Sequence, residues 1–329
     1  MMRLLLAALV AAVTTMASPP SAGAADTTIR VGVLKFGTVN WELDAMKRAG
    51  LDEKHGIDVD IVPFAGEDAT AVALQAGAVD VIVTDWLWVS RQRSEGSDLT
   101  FAPYSTSVGS IMVPPDGAVK TLADLKGKRI GVAGGPLDKN WLLIQALAKR
   151  ETGLDLSREA DVVYGAPPLL AEKIRQGELD AVLDFWNYAA RLEAEGYRTL
   201  ISGEDAAEAL GTTGPVAAIG YVFHEGWAKE HPDLARGFVA ASRETKALLK
   251  TSDAEWDALA PLVKPDNDRT LAVMRDRYRE GIPERPIGEE TADADRLYAI
   301  LRKIGGERLV GKGETLAPGT YWSGLDNGS

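Results

Sequence analysis

Gln75-Ala76-Gly77-Ala78-Val79-Asp80-Val81-Ile82-Val83-Thr84-Asp85-Trp86 returns a hundred residues later (186 − 86), without a gap, as Arg175-Gln176-Gly177-Glu178-Leu179-Asp180-Ala181-Val182-Leu183-Asp184-Phe185-Trp186. In each copy a β-branched run, the pattern of a buried strand, stops just before the tryptophan, and a helical pattern follows. The repeat extends backwards. Arg30-Val31-Gly32-Val33 leads to Asn40-Trp41, and Arg129-Ile130-Gly131-Val132 leads to Asn140-Trp141. Ligands of open α/β sheets collect at the carboxyl ends of the strands. Two similar lobes, each with two tryptophans at strand ends, predict a two-lobed clamp around an aromatic-lined cleft.

The chain has 329 residues. Its first stretch reads as a signal peptide rather than as fold. Arg3 supplies the positive start, and Leu4 to Val13 is too short to span a bilayer. Ala22-Gly23-Ala24 and Gly23-Ala24-Ala25 are competing cleavage triplets. A mature chain from about Ala25 or Asp26 is expected to be a freely diffusing periplasmic protein, with no stable membrane insertion. There are no cysteines, so disulfides, thiol catalysis, thiolate metal sites and a lipid anchor at a cleavage-site cysteine are excluded. The formal net charge of −12 argues against nucleic acid as a partner.

Strands are expected at Ile29–Leu34, Asp58–Pro63, Val79–Thr84 and Val108–Val113, then at Arg129–Ala133, Asp161–Tyr164, Ala181–Asp184, Tyr197–Ile201 and Val216–Phe223. Helical patterns lie between them, and the chain from Glu225 on is almost wholly helical, with apolar spacing in Leu234–Leu249, Trp256–Val263 and Ala292–Ile304. Pro114-Pro115 and Gly214-Pro215 mark two crossings between lobes. The expected division is 1–25 signal peptide, 26–111 first lobe, 112–215 second lobe, and 216–329 a return to the first lobe. Two crossings are the geometry of hinge closure.

Leu122-Ala123-Asp124-Leu125-Lys126-Gly127-Lys128-Arg129-Ile130-Gly131-Val132 resembles the opening of the second lobe in solute-binding proteins of ABC importers with the type II periplasmic fold. The Gln-x-Gly-x-x-Asp stretch before Asp85 is similar too, as are Phe223-His224-Glu225-Gly226-Trp227 and His231-Pro232-Asp233-Leu234. The resemblance covers the mature chain and points to the branch that handles sulfonates, taurine, nitrate and thiamine-precursor pyrimidines. It implies an α/β fold with a mixed sheet and flanking helices in each lobe, a small-molecule ligand, and ABC permease subunits as partners. A monomer without a cofactor is expected. A thiamine-pyrimidine synthase of the same fold would need a cysteine-rich segment, which this chain lacks. Thr84-Asp85-Trp86-Leu87-Trp88 is similar to a run in a subgroup associated with quinoprotein alcohol oxidation. This implies an alternative, a periplasmic sensor or accessory protein that keeps the fold without transport.

The candidate binding residues follow from the repeat. Trp41, Trp86, Trp141 and Trp186 are placed at equivalent strand ends, where an indole face can stack a planar solute or cage an ammonium. Trp86 and Trp186 are expected to face each other, while Trp88, Trp227, Trp256 and Trp322 read as structural. Asp85, Asp138 and Asp184 would suit a cation among the aromatic faces. Asp85 and Asp138 can equally cap helices, so Asp184 is the strongest of the three. Gly134-Gly135 before a helix could bring backbone N–H groups to an anion, with Lys139 and Lys35 adding charge; an ordinary strand-to-helix turn reads the same way. Asn40, Asn140, Asn187 and Tyr188 stand in the same loops, where helix capping is the plainer role for the first two. Asp80 and Asp180 read as caps of the turns into their strands. His55, His224 and His231 fall outside the cleft loops and lack metal-ligand spacing, so neither catalysis nor a metal site is expected.

Overall fold

The structure is a computed structural model that describes residues 27–325. The expected signal peptide lies outside the described residues. The chain opens with β1 (Thr28–Leu34), α1 (Val39–Arg48), α2 (Leu51–Lys54), β2 (Asp58–Phe64), α3 (Glu67–Gln75), β3 (Val81–Thr84), α4 (Trp86–Ser94) and β4 (Leu99–Ser105). Next come β5 (Ser110–Val113), a 3-10 turn at Leu122–Leu125, β6 (Arg129–Val132), α5 (Lys139–Thr152), α6 (Leu156–Glu159), β7 (Asp161–Tyr164), α7 (Pro167–Arg175), β8 (Ala181–Asp184), α8 (Trp186–Ala194), β9 (Arg198–Ser202) and α9 (Gly203–Leu210). The chain then returns through β10 (Ile219–His224), α10 (Glu225–Glu230), α11 (Pro232–Thr251), α12 (Asp253–Val263), α13 (Asp268–Glu280), α14 (Ile287–Gly305) and α15 (Glu307–Val310).

Two five-stranded sheets have the orders β2-β1-β3-β10-β4 and β7-β6-β8-β5-β9. The orders match position by position. In each, three strands run parallel and the fourth, β10 or β5, pairs antiparallel with the third. The expected two-lobed α/β architecture is therefore the observed one. The sequence repeat is also explained. Asp80 accepts from the backbone N–H and guanidinium of Arg30 (2.9, 3.0 and 2.6 Å), and Asp180 does the same for Arg129 (2.9, 3.2 and 3.2 Å). Each aspartate thus ties the entry of its parallel strand to the start of the neighbouring one. A Cβ on Gly131 would sit 2.7 Å from the Leu179 side chain in the turn before β8 and 3.1 Å from that of Leu170 on α7, so glycine is needed there.

The crossing between lobes runs through residues 106–109, since β4 belongs to the first sheet and all of β5 to the second. The boundary expected at 111/112 falls inside β5. The return passes through residues 211–218. Helix α14 tethers it at two points: Asp293 accepts from the Thr213 N–H (3.0 Å) and hydroxyl (2.8 Å), and Glu290 accepts from the Ala217 N–H (3.2 Å). Strand β4, absent from the sequence reading, contains Pro103. Proline is tolerated because β4 ends the sheet, and residues 320–322 cover its outer side through Phe101.

Candidate functional site

The carboxyl ends of the parallel strands in both sheets open into the loops that start α1, α3, α4, α5, α7 and α8. These loops carry the residues that face the other lobe. Asp85 ends the β3 loop and caps α4, its Oδ1 accepting the Trp88 N–H at 2.8 Å. Its other oxygen meets the Lys139 ammonium, at the start of α5 in the second lobe, at 2.9 Å. Burial alone would push the Asp85 carboxyl up, but Lys139 and the helix N–H groups hold it below the usual carboxylate range. Burial likewise opposes the charge on Lys139, and the Asp85 carboxylate more than offsets it. This ion pair joins the lobes directly.

Beside it, Trp86, Thr106, Lys139, Asn140, Glu204 and Pro215 line an interlobe cavity of about 70 Å³. Both lobes and both crossings contribute walls. Ligand pockets for small organic molecules run to roughly 300–1,000 Å³, whereas 70 Å³ is the share of a water or two. An organic solute enters only if the lobes part.

The opposite flank is closed by α8 and α13. Arg277 of α13 holds Glu193 of α8 through two bonds (2.8 and 2.6 Å). Arg191 of α8 donates to the Val263 and Lys264 carbonyls that end α12 (2.7 and 3.1 Å). Trp186, half-buried at the start of α8, meets Trp41 edge-on with ring centroids 5.8 Å apart.

The predicted tryptophans therefore divide. Trp86 lines the cavity. Trp41 and Trp186 touch each other across the lobes, so Trp186 faces Trp41 rather than Trp86. Trp141 is fully buried in the core beneath α5. Asp138 caps α5, accepting the Trp141 N–H at 3.0 Å. Gly134 and Gly135 both have φ near +80°, and a Cβ on Gly134 would lie 2.6 Å from Asp138 Oδ2. The concavity suited to an anion thus holds the chain's own carboxylate. Asn40 donates to the Leu34 and Gly37 carbonyls (2.8 and 2.7 Å), bracing its loop.

Asp184 departs most from expectation. It is 0 % exposed, on the sheet face where Val182 packs under α7 and α8, and its Oδ2 has no hydrogen-bond partner. Burial pushes its carboxyl up to about 7, against the Phe185 N–H that Oδ1 accepts (2.9 Å) and the charge of Arg175. The folded chain keeps a proton that the unfolded chain, with an ordinary value of 3.8, releases. The stability from the neutral carboxyl is complete below the unfolded value and is lost as pH rises toward 7. Between pH 4.5 and 7.5 this one group should remove on the order of 3 kcal/mol. Urea unfolding of the parent and Asp184→Asn across that range should give a shallower pH slope for the variant. Parallel slopes would refute the assignment.

Three exposed aromatic side chains stand at strand ends and were not singled out in the sequence. Phe36 (91 % exposed) follows β1, Tyr164 ends β7, and Phe185 follows β8. Their only signal was position: Tyr164 is the last residue of its strand, Phe185 lies one residue beyond its strand and Phe36 two. The histidines serve the frame: His55 meets Glu244 at 2.8 Å, and His224 meets Asp98 at 2.5 Å. Among the described residues no group of three His, Asp or Glu side chains could hold a metal ion, and no helix is long and apolar enough to cross a membrane.

The family described as NMT1/THI5 like matches residues 47–251. The chain belongs to this family. A relative in Escherichia coli (strain K12), named for binding aliphatic sulfonates, is 27 % identical over 245 residues, 73 % of this chain and 72 % of that protein. The solved structure of the periplasmic aliphatic sulphonate binding protein SsuA from Escherichia coli superposes with a TM-score of 0.70 at 20 % identity, covering 90 % of this chain and 92 % of that one. The desulfurization enzyme DSZB shares the fold as well, with a TM-score of 0.59 at 17 % identity over 91 % of this chain and 98 % of that one. The NMT1/THI5-like fold therefore serves binding proteins and at least one enzyme, and the residues of the site must decide between them.

Proposed function

We propose that the chain is the periplasmic solute receptor of an ABC importer, which parts its lobes to admit a small organic molecule, closes on it, and presents the closed form to the permease. The observation that carries this reading is the interlobe cavity. Its walls come from both lobes and both crossings, so whatever fills it reports directly on lobe separation. In this reading Trp86 and Lys139 line the cavity, and Asp85, Gly135 and Asp138 stand beside them. Trp41 and Trp186 set the distance between the lobes, and Phe36, Tyr164 and Phe185 line the mouth. Trp141 and Asp184 support the second lobe from within.

A thermal-shift screen of amines, sulfonates, amides and pyrimidines, followed by small-angle scattering with each hit, tests the reading. A solute at about 100 times its dissociation constant should add about 2.7 kcal/mol of stability. The same solute should shift the scattering toward the compact form seen here. A saturating hit that leaves the scattering unchanged, or a screen without hits, would count against a clamp.

A further inference from the structure

The charges around the cavity are unequal. Asp85 and Glu67, which starts α3, come from the first lobe; Asp138 and Glu204 come from the second. Lys139 is the cation among them, and it is already paired with Asp85. Partial desolvation, followed by the Asp85 carboxylate, pushes the Glu67 carboxyl up. Burial pushes Asp138 up despite its helix N–H bonds, and burial with Glu208 and Asp205 pushes Glu204 up. Asp85, Asp138 and Glu67 thus share one ammonium, and burial leaves Glu67, Asp138 and Glu204 harder to ionise than ordinary carboxyls.

At two of the six strand-end helices, the place where an anion would sit is taken. The N-terminus of α4 is capped by Asp85, and that of α5 by Asp138, whose carboxylate also fills the hollow at Gly134. A sulfonate at either helix end would have to face these carboxylates. Lys35, exposed beyond β1, is the other basic side chain in the strand-end loops. By contrast, the cation position is occupied by part of the protein itself: the Lys139 ammonium, reaching from the second lobe onto Asp85 of the first. Trp86 on the cavity wall adds an aromatic surface of the kind that attracts cations.

We propose that the solute carries a cationic nitrogen, as an alkylammonium, amidinium or guanidinium group, which takes over the Asp85 carboxylate from the Lys139 ammonium as the lobes re-close. The inference rests on the receptor reading above and names the chemical class of its solute. Lys139 acts as an internal stand-in for that group. It keeps the carboxylate paired between solutes, and it sets a threshold that an incoming cation must exceed.

Isothermal titration at pH 8 with butylammonium, butanesulfonate and uncharged butyramide separates the alternatives. Butylammonium should bind at least about tenfold more tightly than the other two. Asp85→Asn keeps the helix cap, because an asparagine oxygen caps as well as aspartate, and should lose at least about tenfold in butylammonium affinity. Lys139→Met removes the competitor and should gain severalfold. Glu67→Gln, which caps nothing, should weaken butylammonium binding even if Asp85→Asn fails to fold. Preference for butanesulfonate, with binding abolished in Lys139→Met, would overturn the cationic assignment and leave the receptor reading intact. Equal binding of butyramide would do the same. Absence of binding by all three at millimolar concentration, in both parent and Lys139→Met, would also overturn the assignment, while the receptor reading stands or falls on the wider screen and scattering.

Discussion

Glu42→Ala should destabilise the protein by about 3–5 kcal/mol, because it strands a buried ammonium. Glu42, on α1, is 0 % exposed and accepts from Lys246 Nζ, Ser242 Oγ (2.6 Å), Tyr221 Oη (2.9 Å) and Tyr278 Oη (3.3 Å). Lys246 lies over the Tyr104 ring at 4.4 Å, and burial pushes its ammonium below the usual lysine value despite Glu42. Removing the carboxylate leaves that ammonium with Ser242 and aromatic faces, and three hydroxyl groups lose their acceptor. Lys246→Met should cost less, since Glu42 would still accept three O–H bonds. The double variant Glu42→Leu/Lys246→Met should recover much of the loss, as apolar replacement of buried ion pairs often does. Denaturant unfolding of the three variants checks the order. A double variant as unstable as Glu42→Ala would show that the hydroxyl groups, rather than the charge, dominate.

Trp256→Ala should cost about 3–5 kcal/mol, the usual loss for a large aromatic removed from a core. Its ring packs edge-on against Tyr278 (5.1 Å) and Trp41 (6.0 Å), and its Nε1–H donates to the Leu249 carbonyl at 2.9 Å. Trp186 touches the same cluster from the second lobe, meeting Trp41 and Tyr278, but remains half-buried. Its replacement by alanine should therefore cost less than half as much in global stability. Its larger effect should be on scattering, through looser lobes. Equal losses of melting temperature in the two variants would contradict this division of labour.

The repeat made the fold legible because parallel strands buried on both faces leave continuous β-branched runs, and because each run must follow a Gly-x-x-Asp turn that receives an arginine. The return crossing was legible from its Gly-Pro break, but the first was misplaced: Pro114-Pro115 follows β5 inside the second lobe, and the crossing lies earlier, at residues 106–109. Strand β4 was not, because Pro103 hides an edge strand. Helix α8 begins at Trp186, where the repeat placed a helical pattern; Trp186 packs inward on Trp41 and Phe185 is exposed. At the site, the types of residue were legible, but the partners were not. The pairing of Asp85 with Lys139 depends on how two lobes meet, 54 residues apart in sequence (139 − 85), and no local pattern encodes it. Similarly, Asp184 resembled a ligand contact because it ends a strand beside a tryptophan, yet period-two alternation turns it with Val182 under α7 and α8.

The exchange of strands at the two crossings also sets an order of assembly during synthesis. The second sheet is made from one uninterrupted stretch, β5 through β9, and can pair all its strands as soon as β9 has emerged. The first sheet cannot. β3 keeps an open edge and β4 has no strand beside it until β10 arrives from beyond the whole second lobe. The inserted lobe is thus placed to mature first, while the earlier-made half of the molecule waits with an edge exposed to stray pairing. Only when residues 320–322 dock along Phe101 is β4 covered on its far side. Deletions in this late segment should therefore show up as aggregation of the newly made chain before they show up as weaker binding by the folded one.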